Sequence, residues 1–209
     1  MSQTRATHIW AIVPVKPFLR SKSRLAGVLS PQERAGLSRE FLGHALEVLR
    51  QVPAIRETLV ISRDPGALAL ARGQGAHTVT EAGAPNLNAA LTRATQAALA
   101  RGAGAVLVLP TDLPLLTAGD VAELIEMDGP GPLVSIAPDR HEAGTNALFV
   151  APPGLLAYAF GDQSFTRHMA LAQAAGARLR VCRLAGAALD VDGPDDFELY
   201  RAGRLARPE

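Results

Sequence analysis

Lysine is nearly absent from this sequence. Among its 21 basic side chains only Lys16 and Lys22 are lysines, and the rest are arginine. A bias this strong reflects genome composition, so two lysines kept six positions apart in one loop ask for a local reason. Cysteine is scarcer still. Cys182 is the only one, which excludes an internal disulfide and a cysteine-rich zinc site. Its neighbours Leu179, Val181 and Leu184 make it a small core residue. Net charge is missing too: the formal value is +1, with no basic or acidic block, which argues against a nucleic-acid-binding surface. No apolar run approaches about 20 residues, so no membrane span is expected. The N-terminal stretch MSQTRATHIWAIV shows no cleavage signature, and a cytoplasmic protein is the expectation. Aromatic residues are few, at 4%, while Ala, Leu, Val and Gly dominate, which suits a helix-rich α/β chain.

What is present alternates. His8 to Val15 is a short apolar run that reads as a buried strand. Ser30-Pro31-Gln32-Glu33 then supplies an N-cap, a proline at the first helical position and an acidic first turn. The apolar spacing through Leu37, Phe41, Leu42, Ala45, Leu46 and Leu49 continues as a helix. Strands are expected at 58–62, 77–80 and 105–109. Helices are expected from Asp64-Pro65 to about Gly73–Gly75, from Asn86 or Asn88 to about Arg101, and from Thr117 to about Glu126. This order predicts a mostly parallel, Rossmann-like sheet with helices on both faces, in a single domain over residues 1–209. Further on, 133–137 and 146–150 read as two strands around a polar loop, a hairpin or small β insertion. A helix over 163–175, a strand over 179–184 and a terminal helix over 194–204 complete the reading.

In open α/β sheets ligands bind beyond the carboxyl ends of the strands, so the loops to inspect follow Val13, Ser62, Thr80, Leu109 and Val150. The first holds Lys16, Arg20, Lys22 and Arg24. It is neither GxxxxGK[ST] nor GxGxxG, so phosphate capture there rests on side-chain cations; a solvated basic loop is the alternative. Asp112, in Leu109-Pro110-Thr111-Asp112-Leu113-Pro114, stands just past a buried strand between two prolines. It fits a ligand for a hard cation such as Mg²⁺, or an Asx turn. In Leu189-Asp190-Val191-Asp192-Gly193-Pro194-Asp195-Asp196, alternation puts Asp190 and Asp192 on one side, with Asp190 the metal-ligand candidate. Asp195 and Asp196 suit the first turn of a helix. Pro85-Asn86-Leu87-Asn88 fits either a base or ribose contact or a helix cap. Phe160-Gly161-Asp162-Gln163-Ser164 fits either an anion site or a cap. His168 reads as a packing or supporting residue.

Taken together and in this order, PVKPFLRSKSRL, PNLNAAL, LPTDLPLL, GTNALF, FGDQSFTRH and LDVDGPDDFELY resemble the 2-phospho-L-lactate guanylyltransferase family, over nearly the whole chain. That family includes the phosphoenolpyruvate guanylyltransferases of coenzyme F420 biosynthesis. The resemblance implies a nucleotide-diphospho-sugar transferase-like fold and transfer of GMP from GTP to a phosphorylated three-carbon acid. It implies that Lys16, Lys22 and Arg24 face the GTP phosphates, with Lys16, Lys22 and Asp112 carrying catalysis. It places Asn86, Leu87 and Asn88 by the nucleoside, Mg²⁺ on Asp112 and Asp190, and the acid on Thr145, Gly161 and Ser164. A homodimer is a further expectation. Asn146 departs from the family's pattern, where a smaller residue is common. Against a nucleotidyltransferase for sugar phosphates or molybdopterin stands the absence of a glycine-rich loop after the first strand.

Overall fold

The computed structural model describes residues 8–205. Residues 1–7, on which the reading of the N-terminus partly rests, and residues 206–209 lie outside them. The strands are β1 (Ile9–Val15), β2 (Ile55–Ser62), β3 (His77–Thr80), β4 (Ala105–Val108), β5 (Leu133–Pro138), β6 (Thr145–Ala151) and β7 (Arg178–Val181). The helices are α1 (Pro31–Arg50), α2 (Pro65–Gly73), α3 (Leu87–Leu99), α4 (Ala118–Leu124), α5 (Ser164–Ala174), α6 (Ala185–Ala188) and α7 (Pro194–Leu205). All seven strands form one sheet in the order β3-β2-β1-β4-β6-β5-β7. Every neighbouring pair is parallel except the two that involve β6.

The continuous apolar strands bury both faces, as parallel sheets do. Side chains of β1 alternate between two cores. Ala11, Val13 and Val15 pack with Leu42 and Leu46 of α1, Ala67 and Leu68 of α2, and Val121 and Leu124 of α4. Trp10 and Ile12 pack with Leu91 and Ala94 of α3 and Phe165 and Ala172 of α5. Helices therefore cover both faces. Cys182 is buried in the first core. Among the described residues no helix is long and apolar enough to cross a membrane.

Local chemistry sets the helix starts. Ser30 and Glu33 form a reciprocal capping box, with Pro31 at the first turn, and Thr117 and Asp120 form another. Asp64 accepts from the N–H groups of Gly66 and Ala67 at the start of α2, and Asn86 accepts from Ala89 N–H at the start of α3.

Three details differ from the sequence reading. The expected hairpin of β5 and β6 exists, but it is built into the sheet: β6 runs antiparallel between β4 and β5, with Val108 opposite Leu148. A reversed strand ends at the opposite edge, so the loop after Val150 points away from the crevice. The polar segment before Thr145 faces it instead. The strand read at 179–184 stops at Val181, and α6 follows, which alternation did not signal. Gly186 explains the position of α6. A Cβ there would run into the Asp120 carboxylate and come within 2.7 Å of the Leu115 carbonyl oxygen. Gly186→Ala should lower stability by about 1–3 kcal/mol, the usual cost of overpacking. Thermal denaturation checks this, and an unchanged melting temperature would mean that α6 moves freely.

Candidate active site

The strand order reverses between β1 and β4, so a crevice opens beyond their carboxyl ends. The lysine loop leaves β1 there, and the segment carrying Asp112 leaves β4 there. Two short 3₁₀ turns, Phe18–Arg20 and Ser23–Leu25, shape the lysine loop. Phe18 is buried, and its N–H donates to the Asp64 carboxylate over 2.7 Å. Leu25 is buried in a third cluster with Phe41, Tyr200, Leu189 and Val191. Burial of Leu189 and Val191 leaves Asp190 and Asp192 to project from the other side of an extended segment, as alternation predicts.

That segment is tied to the one following β4 by a backbone hydrogen bond, Val191 N–H to the Asp112 carbonyl, at 3.0 Å. Two acids about eighty positions apart are thereby brought together. The Asp190 carboxyl is pushed above its ordinary range, first by burial and then by the Asp112 charge; Asp192 adds to the effect. Lys22 lies among these acids. Its ammonium is 3.4 Å from Asp112 Oδ2 and 3.4 Å from Asp192 Oδ1, and 5.8 Å from the centre of the Phe41 ring. The Lys22 side chain is only 8% exposed. Arg24 approaches the other Asp192 oxygen at 3.7 Å from a 77% exposed position. Lys16 is exposed just past β1.

Lys22 adopts a left-handed backbone, with φ of 51°. Among the described residues two other non-glycine residues do so, Glu142 and Gln163. These stand just before Thr145 and Ser164. Such conformations cost of order 1 kcal/mol each and persist where position matters more than local comfort.

The segments expected to bind the acceptor meet around Thr145. Its N–H donates to Ser164 Oγ at 2.9 Å, and its Oγ1 lies 2.9 Å from His168 Nδ1. Gly161, with φ of 120°, forms the turn into α5 through the bond from Ser164 N–H to its carbonyl. The next residue, Asn146, connects this group to the acids. Its amide donates to the carbonyls of Ala187, at 2.8 Å, and Ala188, and reaches Asp190 Oδ1 at 3.5 Å. Asp139 holds the loop before β6 by accepting from the N–H groups of His141, Ala143 and Gly144.

The Asn86–Asn88 segment stands differently. The Asn86 side chain caps α3, and the Asn88 amide both donates to the Phe160 carbonyl and accepts from Phe160 N–H. Leu87 is partly exposed on the first turn. The two side-chain amides are thus engaged with the protein, and the segment is joined to the loop before α5 rather than to the carboxylates. Asp196 takes the structural role expected of it. It accepts from Asp192 N–H and Gly193 N–H at the start of α7 and pairs with Arg140 at 2.6 Å. The sequence reading did not find the connecting role of Asn146, the position of Lys22 between Asp112 and Asp192, or the bonds of His168. The adjacency of Thr145 and Asn146 in one motif was the one available signal for the first.

Among the described residues no cluster of three or more His, Cys, Asp or Glu is arranged to enclose a metal ion. Two repelling, partly buried carboxylates are a donor set of another kind. They suit a hard cation that takes one or two protein oxygens and completes its shell with phosphates and water.

Residues 9–203 match the family described as Guanylyl transferase CofC like. The chain belongs to this family. A relative from Rubrobacter xylanophilus, called phosphoenolpyruvate guanylyltransferase, is 45% identical over 194 residues, covering 93% of this chain and 94% of that protein. A protein from Desulfovibrio desulfuricans G20 assigned to the nucleotide-diphospho-sugar transferases superposes with a TM-score of 0.75 at 16% identity, covering 96% of this chain and 89% of that one. CMP:2-keto-3-deoxy-manno-octonic acid synthetase, solved with CTP, gives 0.62 at 17% identity, over 95% and 99%. These two likenesses concern the fold. They place the CofC-like chain on the nucleotide-diphospho-sugar transferase-like architecture that the motifs imply.

Proposed function

We propose that this protein is a guanylyltransferase that moves the GMP unit of GTP onto the phosphate of phosphoenolpyruvate or 2-phospho-L-lactate, releasing pyrophosphate, as a cytoplasmic step of coenzyme F420 biosynthesis. The observation that carries this reading is the meeting of Asp112, Asp190 and Lys22 at the β1/β4 crevice of a CofC-like chain. The name of the Rubrobacter relative favours phosphoenolpyruvate as the acceptor.

An acceptor phosphate oxygen attacks the α-phosphorus of GTP. A new P–O bond forms, the bridging α–β P–O bond breaks, and its electron pair leaves with pyrophosphate. The attacking oxygen is already ionised, so no general base is required. This agrees with a group whose one buried histidine, His168, is bonded through both ring nitrogens. The barrier is electrostatic. Two unit charges 4 Å apart repel by about 4 kcal/mol at an effective dielectric near 20, and both reactants carry several. Asp112 and Asp190 would hold Mg²⁺, which when bound neutralises phosphate charge on both reactants. Lys22 stabilises charge that builds on the leaving pyrophosphate, and Lys16 and Arg24 hold the outer phosphates from exposed positions. Thr145, Ser164 and the Gly161 turn hold the acceptor.

Pyrophosphate release tests the reading, with GTP and Mg²⁺ plus phosphoenolpyruvate, 2-phospho-L-lactate or 3-phosphoglycerate in turn. Release with phosphoenolpyruvate is expected. If no acceptor supports release, the transferase assignment is wrong.

A further inference from the structure

His168 is fully buried on α5. Its ring has two polar partners, and together they determine where its hydrogen is. Ala159 N–H points at Nε2 over 3.0 Å, and a backbone amide can only donate. Nε2 is therefore the bare acceptor nitrogen, and in a neutral ring the hydrogen is on Nδ1. The ring stays neutral at working pH, because burial, and after it the Arg167 charge, lowers its pKa to about 4. Nδ1–H then donates to Thr145 Oγ1, at 2.9 Å. The Phe160 ring, edge-on at 4.8 Å between centroids, holds the imidazole in its plane. The Asn88 amide fixes the Phe160 backbone in turn.

The consequence falls on the hydroxyl. Thr145 Oγ1 accepts from His168, so its own hydrogen is left to donate elsewhere. Ser164 shows the same pattern: its Oγ accepts from Thr145 N–H, and its hydrogen is left over as well. Two buried hydroxyls, each with an internal donor bonded to its oxygen, thus keep a hydrogen that an anion could accept. We propose that His168 is a positioning residue that aims the Thr145 hydroxyl hydrogen at an anionic oxygen of the acceptor. This rests on the acceptor site proposed above and assigns a role to a side chain that does not itself touch the substrate.

The test is a double-mutant cycle read on acceptor and GTP kinetics separately. His168→Leu should raise the acceptor KM about tenfold, the scale of one hydrogen bond to a charged group, and leave the GTP KM within about twofold. His168→Asn, whose amide can donate from nearly the same place as Nδ1, should recover most of the loss. Thr145→Val should raise the acceptor KM in the same way, and adding His168→Leu to it should cost little more, because the imidazole acts through the hydroxyl. Additive effects would overturn the proposal. So would an acceptor KM that stays put in a His168→Leu protein melting like the wild type. Should the leucine variant fail to fold, His168→Phe, which keeps a ring of similar size but has no donor, replaces it in the same cycle. A wild type that releases no pyrophosphate sinks the transferase reading on its own account. The cycle is then read on the melting-temperature shift produced by phosphoenolpyruvate, and an additive result there still overturns the role of His168.

Discussion

Asp112→Asn should lower the turnover of pyrophosphate release by about 10²–10³-fold, the range for removing one preorganised electrostatic group, and leave the fold unchanged. The two halves of this expectation have separate causes. The Asp112 carbonyl holds Val191 N–H through the main chain, so an amide side chain leaves the acid-bearing segments docked. The carboxylate itself raises the proton affinity of Asp190, so its removal relieves repulsion between the two side chains. Its loss from the 3.4 Å contact with Lys22 costs little, since Asp112 is 30% exposed and the pair is partly solvated. In the proposed mechanism activity depends on the full negative charge that would hold Mg²⁺ between the reactants. Steady-state kinetics and a melting curve at matched Mg²⁺ check both halves. Near-normal turnover removes Asp112 from the metal site, and a collapsed melting temperature makes it a structural residue.

Lys22→Met should cut kcat/KM for GTP by about 10²-fold and change the acceptor KM far less. Methionine keeps an unbranched chain of similar length but loses the ammonium that lies 5.8 Å from the centre of the Phe41 ring, and with it the charge proposed to serve the departing pyrophosphate. The same change removes the cation lying between Asp112 and Asp192. Without Mg²⁺ the variant should be less stable by about 1 kcal/mol, the upper end for pairs with a partly exposed partner. Saturating Mg²⁺ should narrow that gap, because without the competing ammonium the ion binds the variant's carboxylates more tightly than the wild type's and stabilises the variant more. Lys22→Arg should not restore activity. The side chain is almost wholly enclosed, and a planar fork does not replace a compact ammonium. Unchanged GTP kinetics in Lys22→Met would end the catalytic role of this lysine.

Element type and order were legible where local chemistry decides them. β3 spans the predicted residues 77–80, α1 begins at the capping box of Ser30 and Glu33, and α5 begins one residue after the predicted start. Strand direction was not. Leu148, Phe149 and Val150 form an apolar run that reads the same in either sense, and only pairing with β4 and β5 reverses it. That reversal replaced the loop after Val150 with the segment before Thr145 as a wall of the crevice. α6 was missed because Ala185-Gly186-Ala187-Ala188 has too little apolar pattern to mark a helix, and its position depends on contact with Asp120 and Leu115.

By itself the sequence determined which residue types stand at the ends of the strands. Two lysines follow β1, an aspartate between prolines follows β4, and alternating acids precede α7. Such placement follows from short-range rules: alternation, capping and the fixed φ of proline. Only the tertiary structure decided that Asp112 and Asp190 share a charge environment, that Lys22 enters it by way of a left-handed residue, and that Asn146 and His168 hold the groups around them. Those facts depend on strand order and on single long-range hydrogen bonds, which no periodicity along the chain encodes.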